Sequence, residues 1–269
     1  WVARMIMASM KFKNEIPFKN VYFNSTIRDG KGRKLSKSLG NSPDPINIID
    51  KYGADAVRFT MLFLAPLGQD IRMDVDVEHQ DIPSMEIGRN FANKIWNAGR
   101  FLMMKRDQAL EEAAGAPAAE FKPGFADKWI QSRLHSTIKS ITIGLDRYRV
   151  DEYAKTVYDF VWRDFCDWYV EIMKGQMNEC PTPAEKLALA DFAVSLYGQI
   201  LMMLHPIMPF MTEEIWHITQ EKGDNDSIST QPAPTADEEK IDAALEDKFE
   251  FLQLLIEEVR RLRSTLNLP

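Results

Sequence analysis

From about residue 86 onward, apolar residues recur every three or four positions in long stretches, broken by short clusters of proline, glycine and polar residues. That period places the apolar side chains on one side of a helix, and it commits the larger part of the chain to an all-helical body. The spacing predicts helices over 86–106, 127–147, 151–177, 183–205, 210–221 and 241–266, with loops at 111–124 and 222–237. Thr182-Pro183-Ala184-Glu185 carries a capping-box pattern with proline at the first helical position. Pro206 and Pro209 interrupt the pattern after His205, which predicts a bend between two helices. With 269 residues, 45% of them hydrophobic, such a body has enough material for a real core.

The N-terminal third reads differently. Trp1 to Met10 is an apolar, helix-like stretch without a small-residue cleavage pattern, so it is not read as a signal peptide. Val21-Tyr22-Phe23 reads as a short buried strand, followed by a glycine-rich turn over 26–32. Asp44-Pro45 is a helix start, Gly53 its stop, and Asp55 a cap for a second helix ending near Leu64. Residues 66–82 lack a helical period and are expected to form loops and one extended stretch. The fold class is therefore mainly α, a helical bundle preceded by a small α/β part. No apolar run approaches the roughly 18 residues of a membrane span. Cys166 and Cys180 are too few for a disulfide framework and fit a reducing cytoplasm. The four histidines do not flank a cysteine pair, so no zinc site or other metal site is expected.

Net charge is −7, which by itself argues against a nucleic-acid partner. The total hides an asymmetry: residues 1–106 carry 17 basic against 11 acidic residues, a balance of +6, and the remainder carries 16 against 29, a balance of −13. A basic part beside an acidic part suggests either a polyanion partner for the first or two units of different pI.

Two places concentrate the basic chemistry. Arg28, Lys31, Arg33, Lys34 and Lys37 stand within ten residues, interleaved with Gly30, Gly32, Ser36 and Ser38. Glycines let a backbone approach an anion and serine hydroxyls add donors, so the run fits an oligophosphate clamp, or else a solvated basic turn. In the helix from Glu86, Arg89, Asn90, Asn93, Lys94, Asn97 and Arg100 fall within an arc of about 140° at helical pitch. Between residues 89 and 100 no acid shares that arc, Phe101 lies inside it, Trp96 lies at its edge, and Ile87, Phe91, Ile95, Ala98 and Leu102 lie opposite. Amides, cations and rings on one face suit single-stranded RNA: amides read base edges, cations hold phosphates and rings stack on bases. The other reading is an ordinary solvated face.

Lys34-Leu35-Ser36-Lys37-Ser38-Leu39-Gly40-Asn41 resembles the KMSKS signature of the class I aminoacyl-tRNA synthetases, with Leu35 in place of methionine. Gly32-Arg33 before it resembles the same context, as do Asp44-Pro45 and Tyr52-Gly53-Ala54-Asp55-Ala56-Val57-Arg58 after it. Arg89-Asn90-Phe91-Ala92-Asn93-Lys94 is similar to the valyl branch, and so are Asp164-Phe165-Cys166-Asp167-Trp168-Tyr169 and the string from Leu204 to Trp216. One departure is Ser25, where the family often has glycine.

The resemblance implies three parts: residues 1–42 as the end of a Rossmann-type catalytic domain, 43–85 as a stem-contact segment, and 86–269 as a helical anticodon-binding domain. It implies that Lys34 and Lys37 act catalytically on ATP, with Ser36 and Ser38 as further ATP contacts, and that Trp1 walls the amino-acid pocket. It also implies tRNA contacts from Arg89, Asn90, Asn93, Lys94, Asn97 and Arg100, with Asn90 and Lys94 foremost. The expected parent is a cytoplasmic, monomeric ligase that joins valine to tRNA(Val) using ATP with Mg2+, away from any membrane. The family's other signatures are expected upstream of Trp1 and its coiled coil beyond Pro269, so the chain is expected to be inactive alone. The same segment of an isoleucyl enzyme, or a helical interaction module with a relic loop, are the alternatives.

Trp162, Phe165, Trp168 and Tyr169 read as core, the methionines at 202, 203, 208 and 211 as fillers around the proline bend, and His205 as structural. Cys166 reads as a buried small apolar residue. The charged final helix, with Arg260, Arg261 and Arg263, fits either tRNA phosphates or compensation of its own dipole.

Overall fold

A computed structural model describes residues 1–223 and 225–266. The chain begins with α1 (Val2–Phe12), which buries none of its side chains; Trp1, Met7 and Phe12 stand open to solvent. A two-stranded parallel sheet follows, β1 (Ile27–Arg28) beside β2 (Ile71–Arg72). The crossover between them carries α2 (Pro45–Tyr52) and α3 (Ala54–Phe63). A parallel pair needs such a crossover, and helices are its usual content.

The expected strand at Val21-Tyr22-Phe23 is not one: these residues are irregular and exposed, Phe23 at 73%. Their β-branched and aromatic content is a preference for a pleated, half-covered surface, and among the described residues no neighbouring strand provides it. Pairing falls instead on Ile27–Arg28. Asp44 does cap α2, accepting from the Ile46 amide at 3.0 Å, and Pro45 takes the first helical position. Asp55 does not cap α3, whose N-cap is Gly53 with φ 89°; its side chain is used elsewhere, as described below.

The helical body contains α4 (Glu86–Glu112), α5 (Phe125–Asp146), α6 (Val150–Asp159), a π-helical segment (Phe160–Tyr169), α7 (Val170–Glu179), α8 (Pro183–Leu204), α9 (Pro209–Thr219) and α10 (Ala243–Thr265). The helix expected over 151–177 is thus a continuous run of α, π and α turns. Thr182 and Glu185 exchange the two bonds of a capping box at the start of α8.

One continuous core joins Phe91 and Ile95 of α4, Trp129 of α5, Phe165 and Tyr169 of the π segment and Tyr197 of α8, all essentially buried. Burying each such side chain is worth about 1.5–3 kcal/mol before entropy is counted. Trp162 and Trp168 lie at the margin of this core rather than inside it. Although the sequence shows no uninterrupted apolar run of membrane-spanning length, α8 as a helix is long and apolar enough to cross a membrane, yet most of it is covered by other helices of the bundle. An all-round apolar helix is what a bundle centre requires.

Two glycines let α4 sit close to its neighbours. A methyl group on Gly88 would stand 2.1 Å from the Ala56 carbonyl oxygen of α3, and one on Gly99 would touch Tyr197 and Ile215. α10 is fastened by Phe249, stacked on Trp129 with centroids 3.6 Å apart, and by Glu246, which accepts from Ser132, Ser136 and Arg133.

Candidate phosphate loop and RNA-binding face

The basic loop is organised by an acid. Asp29 closes a tight turn in which Gly32 N donates to Asp29 O and Asp29 N donates to Arg33 O, both at 2.8 Å. Gly32 adopts φ 79°, a left-handed conformation that glycine reaches without strain. The Asp29 carboxylate accepts from the amides of Lys31 and Arg33, from the Arg33 guanidinium and from Asn41 Nδ2. Asn41 also donates to Lys34 O at 3.2 Å and accepts from Ser36 N at 2.9 Å, so it spans the KLSKS segment from inside. Desolvation pushes the Asp29 carboxyl up, but the bonds from Asn41 and Arg33 outweigh it and lower its pKa to about 2.

The five cations then separate into two kinds. Arg28 pairs with Asp70 at 2.5 Å and Arg33 with Asp29 at 2.8 Å, so both arginines hold the loop's shape. Lys31, Lys34 and Lys37 are exposed, and no ion pair among the described residues involves them. Ser36 caps the short turn Lys37–Leu39, its hydroxyl lying 2.7 Å from that of Ser38. Leu35 is partly buried, and its amide donates to Ile27 O of β1 at 3.0 Å, which ties the loop to the sheet. Ser25 donates to the Pro66 carbonyl, a structural use of the hydroxyl. A neighbouring cleft of about 580 Å³ is lined by Asp29, Asp74, Asp76 and Glu78 as well as Lys31 and Arg33, and it includes neither Lys34 nor Lys37. Its carboxylates disfavour a phosphate there. Trp1 lies far out in solvent at 86% exposure, with the Arg4 guanidinium 5.4 Å from its ring centre.

On α4 the polar arc faces outward, while Phe91, Ile95 and Leu102 on the opposite side are buried. Asn90, Asn93, Asn97 and Arg100 are exposed. Two of the cations are engaged: Arg89 pairs with Glu86 at 2.9 Å and lies over the Tyr52 ring, and Lys94 pairs with Asp167 at 2.5 Å. Trp96, at 39% exposure, lines a groove of about 720 Å³ with Asn97, Arg100, Phe101 and, from α9, Ile215 and Ile218.

Comparison with known proteins gives the family to which these elements belong. Residues 127–269 match the anticodon-binding domain of tRNA ligase, and residues 1–74 match the class I tRNA synthetases of the I, L, M and V group.

The chain belongs to the anticodon-binding domain family of the tRNA ligases.

It is homologous along its whole length to valine–tRNA ligases. That of Chlorobaculum tepidum is 42% identical over 278 residues, covering 100% of this chain and 30% of the relative. Those of Fusobacterium nucleatum and Thermotoga maritima are 42% and 40% identical, covering 98% and 100% of this chain and 29% of each relative. The chain thus spans about 30% of the length of the curated relatives it matches. Among solved structures, a ternary complex of Agrobacterium radiobacter K84 LeuRS with tRNA and LeuAMS superposes with a TM-score of 0.59, at 20% identity, over 89% of this chain and 27% of that one. That likeness is one of fold.

Within this chain, several site-forming residues escape a reading of the sequence. Asp29 looks like one stray acid in a basic run; its Asp-Gly dipeptide is the available signal, since that pair favours tight turns. Asp55, on α3, accepts from the amides of Met211 at 2.7 Å and Phe210 at 3.4 Å, so it caps α9 across 156 positions of sequence. Burial pushes its carboxyl up, and those amides pull it back only in part. Arg58, one turn on, donates to the carbonyls of Pro206 and Ile207 at the proline bend. His205 lies between Thr212 and Ser229, with the Glu213 carboxylate 3.8 Å from its Nε2, so it ties α9 to the segment at Ser229, and burial holds its pKa below the ordinary value. Met203 and Met208 are buried around the bend, and Cys166 is buried with its thiol pushed up to about 12.

Proposed function

We propose that this chain is the part of a valine–tRNA ligase that holds the triphosphate of ATP through its KLSKS loop and the anticodon arm of tRNA(Val) through its helical body. Residues 1–42 are its catalytic-domain portion, 43–85 the stem-contact unit and 86–269 the anticodon-binding unit. The observation that carries the loop's role is the division of labour among its cations: carboxylates consume the arginines, while Lys31, Lys34 and Lys37 have no such partner among the described residues. Free ammonium groups on a tethered loop fit a polyphosphate.

In amino-acid activation the valine carboxylate attacks the α-phosphorus and pyrophosphate leaves with added negative charge. Lys34 and Lys37 stabilise that charge as it develops, so they lower the barrier rather than merely bind the ground state. Ser36 and Ser38 add hydroxyl donors, ATP enters as its Mg2+ complex, and Trp1 walls the amino-acid pocket. On α4, Asn90, Asn93, Asn97 and Arg100 offer open donors and acceptors to an unstacked loop, with Arg89 and Lys94 beside them. The parent works as a cytoplasmic monomer.

In a ligase carrying this segment, Lys34→Ala and Lys37→Ala should each lower the kcat of valine-dependent ATP–pyrophosphate exchange by roughly 100- to 1,000-fold, a loss of the size seen when one preorganised charge donor is removed. Their affinity for tRNA should stay unchanged. Equal loss of exchange and of tRNA binding would refute the assignment of two separate sites.

A further inference from the structure

A pocket of about 290 Å³ lies between α5, the π-helical segment and α10. Apart from the Trp129 ring, every side chain that lines it is charged or an amide. Its best-covered charges answer one another: Arg133 donates to Asp164 Oδ2 at 3.0 Å and to Glu246 Oε2 at 2.9 Å. The rest of the lining is not satisfied in this way. Gln253 of α10 is 5% exposed, yet its Nε2 has no hydrogen-bond partner among the described residues. Buried amides are almost always bonded, so an unpaired one at a pocket wall marks a place for a further acceptor.

The π-helical segment contributes Arg163, whose Nε stands 3.6 Å from Asp164 Oδ1, too far for a hydrogen bond. Its guanidinium, 61% exposed, therefore keeps its donors for a ligand. π turns are rare and gather at functional sites, a second mark on the same wall. From α10 come Asp247 and Glu250, both exposed and neither ion-paired among the described residues. The lining thus holds two arginines against four acids, a net charge of −2.

These unspent groups select a ligand. A phosphate would meet the free guanidinium but also four carboxylates, and like charges brought together are costly. A simple cation would suit the carboxylates and leave the donors of Arg163 and Gln253 without an acceptor. A molecule that carries an ammonium group and a carboxylate a few atoms apart satisfies both sets. Guanidinium and carboxylate also match in the two-pronged geometry that makes arginine a carboxylate binder. The volume lies just below the roughly 300–1,000 Å³ of sites for drug-sized ligands, so the molecule is small.

We propose that this pocket binds a free α-amino acid as its zwitterion, with the carboxylate on Arg163 and Gln253 and the ammonium group on Asp247 and Glu250. The site shares no residue with the KLSKS loop or with the polar face of α4, and it does not rest on the ligase reading. Its ligand bridges α10 to the π-helical segment, so occupancy fastens α10 to the bundle and stabilises the fold.

The test is isothermal titration of the 269-residue chain with glycine, alanine and valine, alongside thermal melts. Acetate carries the carboxylate alone and methylamine the ammonium group alone; both serve as controls, singly and mixed. At least one amino acid should bind saturably with a Kd of about 0.1–1 mM, the modest affinity open to so few atoms. The melting midpoint should rise with its concentration, and the controls should do neither. Gln253→Met keeps the volume and removes the amide, so it should fold at least as stably as wild type. It should nevertheless weaken binding by roughly 10-fold or more, as loss of a hydrogen bond to a charged group does. Arg163→Gln, at an exposed position, should weaken binding at least as much. Undiminished binding by either variant would overturn the proposal, because the ligand would then lie elsewhere. So would a mixture of acetate and methylamine that binds as well as the amino acid. Lack of saturable binding by wild type at about ten times the weakest expected Kd would reduce the pocket to a place for ordered water.

Discussion

Asp29 shows how one side chain can set the chemistry of a loop it does not itself perform. Its carboxylate gathers two backbone amides, a guanidinium and an amide side chain, and so fixes the path of the chain on both sides of the KLSKS segment. Its pKa, lowered from 3.8 to about 2, carries a stability consequence with a definite sign. A carboxyl more acidic in the folded state favours folding above its ordinary pKa, and that contribution fades as pH falls through the folded value. Asp29→Asn should therefore melt earlier than wild type at pH 7, and the gap should close as pH falls from about 4 toward 2. Thermal melts of both proteins across that range check it; a gap independent of pH would mean that shape, not charge, makes the cage. The lysines of the loop were legible in the sequence from their spelling alone. Asp29 was not, because its role depends on partners as far along as Asn41.

At the scale of elements, the helices were largely legible, since apolar period and caps are local properties. The capping box at Thr182, the proline start of α2 and the bend after His205 all lie where the residue pattern places them. What escaped was how closely the helices approach and which turns distort. Gly88 lets α4 lie against the Ala56 carbonyl of α3, and a methyl group there would meet that backbone and the Thr60 hydroxyl. Gly88→Ala should cost about 1–3 kcal/mol, the usual range for overpacking a tight core, and denaturant unfolding measures it. A cost near zero would show that α3 shifts freely. The π turns at Phe160–Tyr169 likewise leave no mark in the 3.6-residue pattern, because aromatic residues at near-helical spacing satisfy both geometries.

Across the whole molecule, Asp55 and Arg58 of α3 hold the proline bend and the start of α9. α9 in turn supplies one wall of the groove beside Trp96, while the sheet next to α2 and α3 carries the KLSKS loop. A single joint therefore connects the two candidate sites. Asp55→Ala should cost about 1–2 kcal/mol through loss of a helix cap, and it should lower RNA affinity without touching any proposed RNA contact. Comparing binding of an anticodon-arm RNA hairpin by wild type and variant at a temperature where both are folded checks this; unchanged affinity would show that the groove does not depend on the joint.

The sequence by itself determined the helical body, its caps and breaks, the basic loop and the polar face of α4. Each of these follows from residues within a turn or two of one another, where backbone hydrogen bonds and side-chain period are set. Only the tertiary structure decided that Val21-Tyr22-Phe23 is not a strand, that Asp55 caps a helix 156 positions away, and that Lys94 meets Asp167 across 73 positions. Strand pairing, distant capping and ion pairs need two parts of the chain to be brought together by packing, and no local pattern records which parts those will be.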